Sequence, residues 1–105
     1  MKDYRIMFLR DSHNFPVGCV AMVTRGNVVS YQVSTLNPND CFDRKTARQL
    51  AIGRLVESPF ALDISNSNIH YTTRMIMNHI ANNLELPKRS RTAARRWSNV
   101  NSNKG

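Results

Sequence analysis

Residues 17–36 read Val17-Gly18-Cys19-Val20-Ala21-Met22-Val23-Thr24-Arg25-Gly26-Asn27-Val28-Val29-Ser30-Tyr31-Gln32-Val33-Ser34-Thr35-Leu36. Two runs of β-branched and apolar residues flank the dipeptide Gly26-Asn27. Glycine in the first position of a two-residue connection suits the mirror-image turn, whose twist matches that of paired strands. In the second run Val29, Tyr31 and Val33 alternate with Ser30, Gln32 and Ser34, the period-two pattern of a strand with one apolar face. The stretch predicts an antiparallel hairpin.

Upstream, residues 3–10 alternate loosely, with Tyr4, Ile6 and Phe8 sharing a face, and Ser12 to Pro16 forms a polar break. Together with the hairpin this gives a three-stranded meander. Downstream, Asn37 to Pro59 reads as a turn and one helix over 43–58, bounded by Pro38 and Pro59. Asp40 is the expected N-cap, and Asp43 adds negative charge at the positive end of the helix dipole. The apolar residues Ala47, Leu50, Ala51, Ile52, Leu55 and Val56 spread round this helix, so burial on more than one side is expected, with Gly53 allowing a close approach. Phe60, Leu62 and Ile64 alternate and suggest a fourth strand. Ser65-Asn66-Ser67-Asn68 offers caps for a second helix over 69–85, with Ile69, Ile76, Met77, Ile80 and Leu84 as its core stripe and Pro87 as its end.

The expected fold class is α+β: an antiparallel sheet of three or four strands with two helices packed on one face. The other face of the second helix carries Tyr71, Arg74, Met75 and Asn78, a candidate partner surface set against the simpler reading of a solvated face.

At 105 residues the chain is one domain, and 41% hydrophobic against 21% charged residues argues against wholesale disorder. The net charge is +8, and its placement matters more than its size. Residues 1–86 hold nine Lys/Arg and seven Asp/Glu, whereas residues 87–105 hold six Lys/Arg and no acid. A near-neutral domain, 1–86, carrying a basic flexible tail, 87–105, is therefore expected. No apolar run is long enough to span a membrane, the N-terminus lacks the apolar core of a signal peptide, and the two cysteines fit a reduced, cytoplasmic setting.

Cations concentrate in two places. Arg44, Lys45 and Arg48 lie on the first helix, where Arg44 and Arg48 share a face and repel each other without an anionic partner. Lys88, Arg89, Arg91, Arg95 and Arg96 lie in the tail beside Trp97, which either stacks on a base or anchors the tail to the body. Arg54, set among apolar residues, reads as structural. His13, His70, His79, Cys19 and Cys41 show no metal-ligand spacing, and neither a phosphate-binding glycine loop nor a nucleophile elbow is present. Neither enzyme chemistry nor a cofactor or metal is expected.

The pattern Val17-Gly18-Cys19-Val20-Ala21, a hairpin, then Asn37-Pro38-x-Asp40-x-Phe42-x-Arg44-Lys45-x-x-Arg48-x-x-Ala51-x-Gly53-Arg54-Leu55, resembles small accessory proteins of tailed bacteriophages. The resemblance covers under half the chain. It implies a host-takeover or counter-defence role without catalysis. The leading expectation is a nucleic-acid-binding protein, with RNA favoured over duplex DNA because no major-groove reading motif is visible. The alternative is a protein inhibitor docking on a host defence enzyme, such as an RNase toxin, a restriction enzyme or a CRISPR complex, with or without bound RNA. Mimicry of DNA by acidic residues is excluded by the sign of the charge.

Overall fold

A computed structural model describes residues 4–35, 43–64 and 69–102. In chain order the elements are β1 (Arg5–Arg10), β2 (Pro16–Arg25), β3 (Val28–Thr35), α1 (Arg44–Glu57), β4 (Phe60–Asp63), α2 (Ile69–Asn82) and α3 (Lys88–Ser102). The four strands form one antiparallel sheet in the order β1-β2-β3-β4. The fold is α+β, as the sequence pattern predicts.

The hairpin is where the sequence puts it. Arg25 pairs with Val28, and Gly26 alone of the two turn residues takes a left-handed φ, +59°. That is the mirror-image turn with glycine first. Asn14, with φ 66°, makes the corresponding reversal between β1 and β2. The loop there is tied by Asp11, whose carboxylate accepts from the backbone N–H groups of His13 and Phe15 at 2.9 and 3.0 Å. Those bonds, that of Phe15 foremost, hold the Asp11 carboxyl below the usual range.

Side chains alternate across the sheet, so each strand feeds two layers. One layer joins Leu9 of β1, Val20 and Met22 of β2, and Val29, Tyr31 and Val33 of β3 to Ile76, Met77 and Ile80 of α2 and Ala93 and Ala94 of α3. The other joins Cys19 and Ala21 of β2 to Ala47, Ala51 and Leu55 of α1, edged by Tyr4, Ile6, Phe8 and Val23. Two helices do pack on one face, but they are α2 and α3, and α1 covers the opposite one. The polar residues of β3 consequently face a helix instead of solvent. Buried Ser34 donates to the Ala47 carbonyl at 2.9 Å, and Gln32 donates to the Ser58 carbonyl at 2.8 Å.

Six further expectations are corrected. Residues 88–102 are not a flexible tail: they form a helix whose Ser90, Ala93 and Ala94 are buried and whose Trp97 packs against the larger core. The spacing 90, 93, 94, 97 is an ordinary helical stripe, made inconspicuous by small residues. Pro87 starts this helix, its carbonyl accepting from Arg91 N–H at 3.1 Å, while α2 has already ended at Asn82. Leu84 therefore lies beyond α2 and is 83% exposed. Burial of α1 is one-sided, through Ala47, Ala51 and Leu55, and Leu50 and Val56 remain exposed. Gly53 makes no close approach, since nothing lies within 4 Å of where its Cβ would be. The close approach is at Gly18, where a Cβ would stand 2.9 Å from the Ser34 carbonyl oxygen and 3.1 Å from Ser90 Oγ. The N-cap of α1 is Asp43, which accepts from Lys45 N–H at 3.1 Å and from the Thr46 hydroxyl at 2.7 Å. Asp40 and the caps proposed at Ser65–Asn68 lie outside the described residues, as do Cys41 and the side chains of Ile69 and His70.

Candidate nucleic-acid interface

The fold gives the five cations of 88–96 on α3 different work. Arg91 Nε donates to the Leu86 carbonyl at 3.2 Å, and Arg95 donates to the Ala81 carbonyl at 3.0 Å. Ala81 stands in the last turn of α2, where carbonyls have no partner within the helix, so a guanidinium there satisfies an orphan acceptor and meets the negative end of the dipole. Arg95 thus ties α3 to α2, and Arg91 ties α3 to the segment that connects them. Ser98 adds a bond from its hydroxyl to the Asn78 amide oxygen at 3.1 Å.

Lys88, Arg89 and Arg96 border a groove. With Thr92 and Ala93 they line a space of about 350 Å³ whose far wall is Asp11 and Ser12 of the β1–β2 loop and Val17 of β2. Arg96 also borders a smaller groove, about 150 Å³, with Phe8, Leu9 and Arg10 of β1 and Trp97 and Val100 of α3. Asp11 is the one acid in the first groove; its carboxylate accepts from the loop amides and also interacts electrostatically with His13 and Arg89. Trp97 is half-buried with its ring packed against the core, which the anchoring reading accounts for directly.

Arg44, Lys45 and Arg48 stand exposed on α1, in the opposite layer. The first turn of α1 contains no acid. Two cations there work against the helix dipole, so they do not serve the helix. Arg44 Cζ lies 5.6 Å from the centroid of the Phe8 ring, within cation–π range. Arg48 is close enough to Cys19 to favour its thiolate slightly, but burial dominates and pushes that thiol up to about 11. Cys19 is an unreactive core residue at neutral pH. Arg54 is structural, as its surroundings suggested: it donates to the Val33 carbonyl at 3.0 Å, while Gln32 Oε1 accepts from the Val33 N–H at 2.9 Å. These side chains close the edge of β3 beyond Tyr31, where its pairing with β4 stops.

The candidate partner surface on α2 is divided. Tyr71 and Arg74 are exposed, Met75 packs partly into the core, and Asn78 is taken up by Ser98. A cluster that sequence reading did not assemble joins His79 to Tyr31: the tyrosine hydroxyl and His79 Nδ1 share a hydrogen bond, Asn83 donates to the same hydroxyl at 3.4 Å, and Phe60 packs on both rings. Only the i, i+4 spacing of His79 and Asn83 hinted at it, and nothing local connects either residue to Tyr31. Among the described residues no group of three His, Cys, Asp or Glu is placed to hold a metal ion, and no helix is long and apolar enough to cross a membrane.

Comparison with known proteins finds no match: no family model fits the chain, and no curated protein or solved structure is similar to it.

Proposed function

We propose that this protein binds nucleic acid without catalysing a reaction, RNA in preference to duplex DNA, chiefly through the side of α3 that carries Lys88, Arg89 and Arg96. The observation that carries this reading is the division of labour along α3. Arg95 satisfies a carbonyl in the last turn of α2 and Arg91 one in the connection between α2 and α3, while three cations line an open groove on a helix with no acid. Phosphates are the anions such a groove suits, because a guanidinium offers a planar fork of donors to their oxygens. The sequence carries no recognisable helix-turn-helix or zinc finger for reading the major groove, and shape and phosphate contacts are the commoner basis of RNA recognition. The counter-defence role implied by the phage resemblance would be served by holding an RNA that a host enzyme uses.

The test is the salt dependence of binding to labelled RNA and DNA. Affinity for single strands should fall with salt at a slope of about −0.7 per phosphate contact. Arg89→Glu and Arg96→Glu should lower that slope. Arg95→Ala should leave it unchanged and lower the melting temperature instead. Deleting residues 88–105 is uninformative here, because Ala93 and Ala94 belong to the core. Equal effects of Arg95→Ala and Arg96→Glu on the slope would reject the proposal. Failure of the protein to bind any nucleic acid would reject it in favour of a protein target.

A further inference from the structure

The two basic clusters occupy opposite layers of the molecule, yet both reach the same edge strand. Phe8 shows the connection. Its ring lies on the α1 side of the sheet, beneath the Arg44 guanidinium. The same residue borders the groove that Arg96 forms with Leu9 and Arg10 on the α3 side. Arg96 in turn links that groove to the larger one containing Lys88 and Arg89. Among the described residues β1 is an outermost strand of the sheet, with β2 as its only strand neighbour. A path from Arg44 over the edge at Phe8 leads past Arg10 to Arg96 and on to the groove with Arg89.

We infer that these clusters form one interface that wraps the β1 edge and takes a single-stranded nucleic acid. This rests on the nucleic-acid reading proposed above and deepens it. The reason is mechanical. The two clusters meet at one residue of one strand, Phe8, so a ligand touching both layers there must bend round that strand. A DNA duplex bends on a scale of about 150 base pairs, and a single strand bends at every nucleotide. A duplex placed on this surface contacts one cluster and misses the other. Charge also separates the occupants: four guanidinium or ammonium groups (Arg44, Lys88, Arg89 and Arg96) suit a regular polyanion. An extended acidic peptide added to the β1 edge would place its backbone on the strand and its carboxylates only at alternate residues.

The experiment measures fluorescence anisotropy with single-stranded RNA and DNA of about 4 and about 16 nucleotides, the range of site sizes for small single-strand-binding folds. Duplex RNA, duplex DNA and polyglutamate complete the ligand set. The proteins are the full chain, Arg44→Glu, Arg96→Glu and the double variant, with circular dichroism melts to verify folding. Arg44→Gln and Arg96→Gln replace any reversal that lowers the melting temperature. The 16-mer should bind more tightly than the 4-mer, beyond the statistical effect of its length, and more tightly than either duplex. That advantage should disappear in Arg44→Glu as well as in Arg96→Glu. Binding of RNA over DNA, or both alike, assigns the strand's sugar and leaves the path intact. If duplexes bind as well as single strands, or the length advantage survives Arg44→Glu, the wrapped path is wrong while nucleic-acid binding stands. Displacement of the 16-mer by polyglutamate at equal charge concentration also overturns it. Absence of binding to every nucleic acid removes both proposals together.

Discussion

The two faces of the sheet are built on different principles. The α2/α3 face is an apolar core of Leu9, Val20, Met22, Val29, Tyr31, Val33, Ile76, Met77 and Ile80, held by burial of large side chains. The α1 face has three alanines, a cysteine and a leucine at its centre, with Ser34 of β3 bonded to the α1 backbone and Gln32 to that of its C-cap, Ser58. Small residues let α1 lie close to the sheet, and closeness brings its carbonyls within reach of those polar side chains. Stability should therefore be concentrated on the α2/α3 face. The α1 face, with less apolar area to lose, carries Arg44, Lys45 and Arg48 exposed on its outer surface.

The contrast can be broken most forcefully from the large core. Ile76→Ala or Ile80→Ala should cost about 2–5 kcal/mol, the range for emptying a buried aliphatic site, read as a lower urea midpoint at unchanged slope. Next is Gly18→Val, which drives a side chain into the Ser34 carbonyl and Ser90 and should cost about 1–3 kcal/mol. It strikes the contact between α3 and β2, so a neutral result would show that α3 is not docked as described. Ser34→Ala on the α1 face should cost only about 0.5–1.5 kcal/mol, since the Ala47 carbonyl sits in a helix and one modest hydrogen bond is removed. A loss as large as that of Ile76→Ala would erase the distinction between the faces. Gly53→Ala should stabilise by about 0.5–1 kcal/mol, because it sits in a helix interior with open space for a Cβ and no left-handed φ.

The smallest effect is a pH dependence. The bond from Thr46 is the main reason that the Asp43 carboxyl titrates below its ordinary value, followed by the N–H groups of Lys45 and Thr46. A depressed folded pKa means that the carboxylate's contribution is complete above its unfolded value near 3.8 and is lost as pH falls through the lower folded value. Asp43→Asn should therefore flatten the acid limb of the melting-temperature profile below about pH 4. An unchanged limb would remove Asp43 as the cap of α1.

Sequence reading found the meander because its signals are local. Gly26-Asn27 and the alternation of Val29, Tyr31 and Val33 act within a few residues, and the mirror-image turn follows from glycine's freedom at positive φ. The basic clusters were equally legible, since charge is visible without a fold. The sidedness of the helices was not legible. Ser30, Gln32 and Ser34 look like a solvated face, and only α1 lying over them turns polarity into a hydrogen-bonded contact. The stripe Ser90, Ala93, Ala94, Trp97 was masked by five cations on the same fifteen residues, and small side chains give a weak hydrophobic signal although they permit the closest packing.

The sequence by itself determined the strands, their turn, the extents of α1 and α2 to within three residues, and the places where positive charge is in excess. Tertiary structure decided which face each helix covers, that Arg95 caps α2 while Arg91 holds the segment after it, and that Arg44 and Arg96 flank one residue, Phe8, though 52 positions apart in the chain. Local rules act over one turn of helix or two residues of strand. Pairings between layers depend instead on which small side chains allow two elements to meet, and that is settled only when the whole core closes.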